Sequence, residues 1–183
     1  MKQEIRKLPV SFFRRQAVEV APDLVGKLLI CDGGSGRVIL RVTETEVYQG
    51  EEDTACHASS GRTRRNAPLY EAGGLYYVYL CYGMHWMLNV VTGDAGDPQG
   101  VLFRACAEAP GPGRLTKALG ADGRLRGLTV ENAPLWIGDD GYRPELKRAP
   151  RVGIGYADRD DRERLWRFID AAEKQKMTGS DRK

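Results

Sequence analysis

Residues 75–92 read LYYVYLCYGMHWMLNVVT. Two apolar runs rich in aromatic and β-branched residues flank the tripeptide YGM at 82–84, the pattern of two strands joined by a tight turn. With a turn centred near Met84, Tyr79 lies opposite Asn89 and both side chains point to one face. The sequence therefore predicts a protruding β-hairpin.

The segments around this hairpin predict a mixed fold. Two short helices are expected in 16–27 and 111–120, and the glycine-rich segment 32–36 is a turn by composition. Strand-like segments share an apolar, β-branched character; they are 28–31, 37–48, 100–107, 128–137 and 149–156. We expect an α+β fold: one mixed domain over residues 1–173, with a curved, mainly antiparallel sheet, small peripheral helices and a disordered tail at 174–183.

The composition is that of an ordinary globular protein. Of 183 residues, 42% are hydrophobic and 29% charged, so the chain is long enough to bury a core without disulfides. The net charge of +3 permits a polyanionic partner without requiring one. The apolar runs are too short for a membrane span, and the charged N-terminus lacks the hydrophobic region of a signal peptide. We therefore expect a cytoplasmic protein.

The cysteines suggest neither a repeat nor a metal site. They stand at 31, 56, 81 and 106, each 25 residues apart, but their flanking sequences share no pattern. No CxxC occurs, and the spacings of zinc sites are absent. We expect four reduced thiols, most of them in the core, and no bound metal.

One strand carries two carboxylates. Glu44, Glu46 and Tyr48 alternate along it and so share one face. A solvated strand face is the ordinary interpretation of such a pair. Here the strand is otherwise apolar and runs into the polar loop 49–74, and loops of this length are usually functional. Either glutamate could serve as a general base, and the pattern does not decide between them.

The long loop adds a histidine and a basic cluster. His57 is either a hydrogen-bonding surface residue or a flat ring at the lip of a pocket; a nucleophilic pair with the adjacent cysteine is discounted. The segment GRTRRN brings three arginines near the hairpin, whose tip carries Tyr82. Exposed aromatics beside basic loops are typical of nucleic-acid binding, with solvated surface charge as the alternative.

Two polar residues stand inside apolar segments. Arg104 in VLFRACA must be paired if it is buried, and Glu46 is a natural partner. Asn89 in LNVV also needs hydrogen-bond partners. Both residues predict a polar pocket on a β scaffold, with a buried structural ion pair as the rival interpretation for Arg104.

Four ordered blocks resemble a known enzyme family. They are VTETEVYQGEEDTACHASSGRTRRN, YVYLCYGMHWMLNVV, VLFRA and RVGIGYA. From about Leu8 to Ile169 the chain is similar to the alkyladenine DNA glycosylases, the 3-methyladenine DNA glycosylases of the vertebrate type. The resemblance implies an enzyme that flips damaged purine nucleotides out of duplex DNA and hydrolyses the N-glycosidic bond.

The resemblance assigns roles to matching positions. It implies that the second of the two glutamates, Glu46, is the general base that activates water for attack on the sugar C1′. Arg104 and the backbone carbonyl of Val152 would help to hold that water. Tyr82, with Met84 beside it, would enter the duplex and fill the gap left by the flipped nucleotide.

The resemblance also implies a pocket for the base. Tyr48 and His57 would form one wall, and Tyr79 the other. Backbone groups of Ala55 and His57 would read the edge of the base, and Asn89 on the floor would crowd the 2-amino group of guanine. Phosphate contacts are expected from basic residues of the loop and of the second helix: Arg62, Arg64, Arg65, Arg114 and Lys117.

Together these implications make a specific hypothesis. We expect a monofunctional glycosylase, because the pocket motifs contain no lysine for a Schiff base. We also expect no cofactor. It would act as a monomer on duplex DNA at the nucleoid. The sequence does not rank 3-methyladenine, 7-methylguanine, hypoxanthine and ethenoadenine as substrates. Two alternatives stay open: a non-catalytic module that binds damaged DNA, and a hydrolase of small molecules.

Overall fold

The computed structural model describes residues 4–33 and 36–172. Within them, nine strands form an antiparallel sheet, accompanied by short helices, which confirms the expected α+β fold. The helices are α1 (Ala17–Leu24), α2 (Pro112–Leu119) and α3 (Arg159–Glu163). The strands are β1 (Arg6–Lys7), β2 (Leu28–Gly33), β3 (Gly36–Gln49), β4 (Tyr76–Cys81), β5 (His85–Val91), β6 (Gln99–Cys106), β7 (Leu135–Asp139), β8 (Leu146–Ala149) and β9 (Arg167–Asp170).

The long strand β3 joins the two ends of the sheet. The strand order is β1–β7–β2–β3–β6–β5–β4, and β9 pairs with both β3 and β8. The first half of β3 pairs with β2 over residues 36–41, and the second half pairs with β6 over 42–49. Against β6 the strand has two register shifts between Val42 and Thr45. Irregularities of this kind bend a strand and re-aim its side chains, often beside an active site.

Strands β4 and β5 form the predicted hairpin in a different register. Tyr77, and not Tyr79, pairs with Asn89, so the expected pairing is wrong by two residues. The reason is that the turn centres on Gly83 rather than Met84. Because side chains alternate along a strand, a shift of two residues keeps each one on its predicted face.

The tip of this hairpin combines strain with exposure. Tyr82 has φ of 50° and the next residue, Gly83, has φ of 70°. Positive φ is uncommon for a residue with a Cβ atom and persists where the surrounding structure imposes it. Tyr82 is 89% exposed and Met84 is 71% exposed. The two side chains therefore project from the sheet, as predicted for the tip.

The core supports the strands that carry the candidate site. Helix α1 packs on β3 and β6, and α2 packs on β5. Large, fully buried side chains fill this region, among them Phe13, Leu24, Leu29, Tyr76 and Phe103. The positions of β3, β5 and β6 are thus fixed by close packing rather than by the polar groups of the site.

Two predicted strands differ from the observed ones. Only the last part of 128–137 is a strand, since β7 begins at Leu135. The segment 149–156 lies mostly beyond β8, which ends at Ala149. The N–H of Val152 in this segment donates to the side chain of Glu46 instead of to a neighbouring strand, so the segment is a loop.

Some predictions concern residues that the structure does not describe. The tail 174–183 lies outside the described residues, and so does the centre of the turn 32–36. In the part of the chain that is described, no helix has the length and apolar character needed to cross a membrane.

Candidate active site

Glu46 lies in the irregular half of β3, and its side chain is fully buried. The preceding Thr45 donates from Oγ1 to the carbonyl of Ala21 in α1, at 2.9 Å, so Glu46 points to the opposite side of the strand. Oε1 of Glu46 accepts the backbone N–H of Val152 at 2.8 Å, and Oε2 accepts the Tyr48 hydroxyl at 2.9 Å. Both carboxylate oxygens are therefore held in one orientation.

The surroundings of Glu46 act on its pKa in opposite directions. Burial raises the pKa of this carboxyl above its usual value, and the Arg104 cation opposes that rise most strongly. The hydrogen bonds from Val152 and Tyr48 lower the pKa further, whereas the negative charge of Glu44 raises it. The net result is a raised pKa, which makes Glu46 a stronger base than an exposed glutamate.

Arg104 lies between the two glutamates of β3. Its Nε is 3.5 Å from Oε1 of Glu46 and 3.9 Å from Oε1 of Glu44. Glu44 has a nearer partner in Arg167, at 3.0 Å. The pairing of Arg104 with Glu46 that the apolar segment predicted is confirmed. The geometry also separates the two glutamates, because Glu46 is fully buried and Glu44 is partly exposed and paired with Arg167.

A cavity of about 830 Å³ opens beside this cluster. Its volume falls within the range of small-molecule sites. Three residues that contact Glu46 also line it: Tyr48, Arg104 and Val152. The buried carboxylate thus lies directly behind the cavity wall.

Several aromatic rings line the cavity and contact one another. His57 packs edge-on against Tyr79, with ring centroids 4.5 Å apart, and its Nδ1 is 2.9 Å from the Tyr77 hydroxyl. Tyr48 packs against the same apolar cluster as Tyr79, and the guanidinium of Arg151 lies 4.9 Å from the Tyr48 ring centroid. Tyr48, His57 and Tyr79 all line the cavity, and their assignment to opposite walls stays a prediction. Burial and the nearby Arg65 lower the pKa of His57, so its ring is neutral at pH 7.

Backbone and amide groups complete the lining. The carbonyl of Ala55 accepts the Tyr156 hydroxyl at 3.0 Å, and the carbonyl of His57 accepts Nδ2 of Asn66 at 2.8 Å. Asn89 is buried, lines the cavity, and donates from Nδ2 to the Tyr77 carbonyl at 3.1 Å. The cavity therefore joins flat rings to fixed polar groups, a combination suited to a planar heterocycle.

Comparison with known proteins agrees with this arrangement. The sequence profile of the methylpurine-DNA glycosylase family matches residues 11–109 and 107–174. The chain belongs to this family. The predicted family is thus confirmed, while its vertebrate-type subdivision stays a prediction, because the relatives that follow are bacterial or archaeal.

These relatives of the methylpurine-DNA glycosylase family cover most of the chain. A protein of Psychrobacter cryohalolentis is 40% identical over 190 residues, 87% of this chain and 89% of that protein. One of Methanocella arvoryzae is 40% identical over 184 residues, 89% of this chain and 92% of its own. A protein of Myxococcus xanthus is 43% identical over 162 residues, which cover 82% of this chain and 83% of that protein. All three are provisionally named 3-methyladenine DNA glycosylase.

The basic residues expected to contact phosphates have different surroundings. Arg65 lines the cavity, with its guanidinium 5.7 Å from the centroid of the Tyr79 ring. Arg62 is bound at 3.1 Å to Glu71. The remaining three are exposed, one on the loop and two on α2: Arg64, Arg114 and Lys117. Of these five residues only Arg65 lines the cavity, and contacts with phosphates stay a prediction.

Sequence reasoning missed three residues around the cavity. Asp53 and Arg151 form a buried ion pair next to the Tyr48 ring, and Tyr156 lines the cavity. Their signal in the sequence is weak, because Asp53 ends the acidic run EED and Arg151 precedes a glycine-containing segment. Charged residues in such settings are usually on the surface.

The cysteines and acidic residues add no further site. All four cysteines are free, and only Cys56 and Cys106 are buried, so half rather than most of them are in the core. Among residues 4–33 and 36–172, no group of three or more His, Cys, Asp or Glu side chains could hold a metal ion.

Proposed function

We propose that this protein is a DNA glycosylase that removes alkylated or deaminated purines from duplex DNA and leaves an abasic site. One observation carries the proposal: a fully buried, doubly hydrogen-bonded Glu46 lies behind a cavity walled by aromatic rings. Membership of the methylpurine-DNA glycosylase family supports the same reaction.

The proposed reaction begins with eversion of the target nucleotide. A base inside a stacked duplex is out of reach, and extruding it costs a few kcal/mol. Tyr82 and Met84 stand exposed at the hairpin tip, and Tyr82 lines the cavity. In the proposal, Tyr82 enters the duplex with Met84 beside it and fills the gap, which offsets part of the cost of flipping.

In the proposal, the everted base then stacks between a wall formed by Tyr48 and His57 and a wall formed by Tyr79. Stacking on an aromatic side chain contributes roughly 1–3 kcal/mol per base, and an alkylated purine that carries a positive charge gains further from electron-rich rings. In the proposal, backbone groups of Ala55 and His57 read the edge of the base, and Asn89 crowds a 2-amino group.

The bond is broken by water. Glu46 removes a proton from a water molecule that Arg104 and the Val152 carbonyl help to hold, and the oxygen bonds to C1′. The C1′–N bond breaks, and the purine leaves with the electron pair. The negative carboxylate also stabilises the oxocarbenium-like transition state expected for glycosidic cleavage.

Three finer points complete the proposal. The enzyme is monofunctional, since no lysine is among the described residues that line the cavity, and a Schiff base needs a lysine amine. One chain carries every residue named in the reaction, which supports a monomer. A chromosomal DNA substrate places the activity in the cytoplasm, at the nucleoid.

The decisive experiment compares the wild type with Glu46→Gln. Base release from duplexes containing 3-methyladenine, 7-methylguanine, hypoxanthine or ethenoadenine is measured under single-turnover conditions. The amide keeps the shape but cannot take the proton, so we expect release to fall by about 10²–10⁴-fold while binding of the lesion duplex is retained.

Two results would replace the proposal. Wild-type protein that binds every lesion duplex and releases base from none would be a damaged-DNA-binding module. Wild-type protein that cleaves free nucleosides, with activity indifferent to salt, would be a small-molecule hydrolase, because DNA binding weakens steeply as salt rises.

A further inference from the structure

A fully buried ion pair lies next to the catalytic cluster. The side chains of Arg151 and Asp53 are both 0% exposed. Nη1 of Arg151 donates to Oδ2 of Asp53 at 2.6 Å, and Nη2 donates to Oδ1 at 2.8 Å, a bidentate arrangement. Removing two charges from water is costly, and such pairs often add no net stability over apolar residues. The placement of this pair therefore calls for a role beyond stability.

Arg151 contacts residues that adjoin Glu46, the proposed general base. Its guanidinium lies 4.9 Å from the centroid of the Tyr48 ring and 5.1 Å from that of Trp166. Nη1 also donates at 2.8 Å to the carbonyl of Val47, the residue between Glu46 and Tyr48. The next residue, Val152, gives its N–H to Glu46. One side chain thus supports a cavity wall and the donor to the carboxylate.

Asp53 extends the same support to the long loop. Its Oδ2 accepts the N–H of Gln49 at 3.2 Å, and its Oδ1 accepts the N–H of Ala55 at 3.1 Å. Gln49 ends β3, and Ala55 lines the cavity. The pair therefore joins three parts of the site: the end of β3, the long loop and the segment after β8.

We propose that Arg151 and Asp53 are positioning residues of the glycosylase, which hold the Tyr48 ring and the Val152 N–H in fixed relation to Glu46. This inference rests on the proposed function for its catalytic meaning. Neither residue touches the reacting atoms; they act through Tyr48 and Val152. Errors of about 1 Å in such positions can cost 10²-fold in rate, which makes a rigid buried pair useful here.

The pKa of Glu46 depends on whether the Val152 N–H stays within hydrogen-bond distance, so it can be used to detect a displacement of that group. Other titratable or charged side chains on β3, β6 and β9 also lie near this carboxyl. They influence its pKa in the wild type and in the variant alike, and they are Tyr48, Glu44, Arg104 and Arg167. If the Val152 donor moves away, the carboxyl loses a hydrogen bond that favours its charged form. Its pKa must then rise.

Arg151→Lys tests the proposal, because lysine keeps the charge and loses the bidentate fork. The chain offers a matched control in Arg41→Lys. Arg41 donates two hydrogen bonds to Asp140, one to the Gly26 carbonyl, and lies 4.8 Å from the Tyr142 ring centroid. It is not among the residues that line the cavity.

Two readouts are taken on each variant. The first is the titration of the Glu46 side-chain carboxyl carbon by NMR, identified by its absence in Glu46→Gln. The second is kcat/KM against pH for release of a damaged base. For Arg151→Lys we expect an upward shift of the Glu46 titration, an acid limb moved to higher pH, and a loss of about tenfold to a hundredfold in kcat/KM at neutral pH. Arg41→Lys should leave all three unchanged.

The outcomes are separable. If Arg151→Lys and Arg41→Lys lower the unfolding temperature alike and neither moves the Glu46 titration, the pair has only a structural role and the proposal is overturned. If Arg151→Lys does not fold, Asp53→Glu is measured in the same way, and failure of both variants to fold also overturns it. Failure of the wild type to release any base refutes the proposed function alone, since the titration needs no activity.

Discussion

The two halves of β3 differ in how they pair and in what they bury. Residues 36–41 pair one to one with β2, without a register shift. Residues 42–49 pair with β6 through two register shifts, and this half includes Thr45 and Glu46, both 0% exposed. A buried carboxylate opposes folding unless it is well satisfied. Residues 36–41 thus form a regular ladder in which only Leu40 is buried, whereas the irregular half holds a buried charge that its hydrogen bonds must satisfy.

Two arginines show the same contrast. Arg41, in the regular half, is bound to Asp140 at 2.6 Å and 3.1 Å. Arg104, beside the irregular half, faces its two glutamates at 3.5 Å and 3.9 Å, which is longer than a strong charge-assisted hydrogen bond. Arg104 also lines the cavity. The ion pairs of Arg104 are thus looser than those of Arg41, and its side chain borders the cavity.

The largest expected effect separates stability from chemistry. Leu29 in β2 is fully buried and pairs with Leu40 of the regular half. Leu29→Ala should lower the free energy of unfolding by about 2–5 kcal/mol, measured by urea denaturation, because it leaves a cavity in the core. The rate of base release per folded molecule and its pH profile should not change. A displaced acid limb in this variant would show that the two halves are not independent.

The next effect concerns the charge beside Glu46. The Arg104 cation lowers the pKa of Glu46, so Arg104→Gln should let that carboxyl bind a proton at higher pH. Because the proposed base must be ionised, activity is lost as pH falls through this pKa, and the acid limb of kcat/KM should move to higher pH. We expect a further loss of roughly tenfold to a hundredfold on the plateau from the missing donor.

Arg41→Gln is the control for this variant, since its exposure is similar, 27% against 23% for Arg104. It should lose stability and keep the position of the acid limb. Equal displacement of the limb in both variants would mean that it reports the net charge of the protein and not the neighbour of Glu46.

Local patterns predicted most of the scaffold. Alternation marked β3 and its two glutamates, the apolar runs marked the hairpin, and the apolar setting of Arg104 predicted its pairing with Glu46. These features depend on neighbours in the chain, or on the simple rule that a buried charge needs a partner.

What the sequence did not reveal depends on distant contacts. The hairpin register was wrong because the positive φ of Tyr82 and Gly83 moves the centre of the turn by one residue. The contact of His57 with Tyr79 joins residues of different elements, and the pair of Asp53 with Arg151 joins residues 98 apart. No periodicity along the chain encodes such pairs.

A smaller effect is expected at the hairpin tip, where the proposal places the insertion into DNA. Tyr82→Ala should weaken base release from a lesion in a paired duplex by an amount equivalent to about 1–3 kcal/mol, because the ring no longer fills the gap. Release from a lesion that is already unpaired should change little. Rates on the two substrates are compared under single-turnover conditions, and an equal loss on both would contradict the insertion role.

The smallest expected effect compares two exposed arginines at opposite ends of the sheet. Arg64 stands in the loop that lines the cavity, whereas Arg37 opens the regular half of β3 and is bound to Asp32 at 2.6 Å. Each phosphate contact releases counterions, so Arg64→Ala should reduce the slope of log K against log salt by about 1. Arg37→Ala should leave the slope unchanged, since this end of the sheet carries none of the cavity residues. Binding of a lesion duplex is measured between low and moderate salt for both variants. If both variants reduce the slope equally, DNA contacts both ends of the sheet. The two halves of β3 would then differ in the proposed reaction but not in DNA binding.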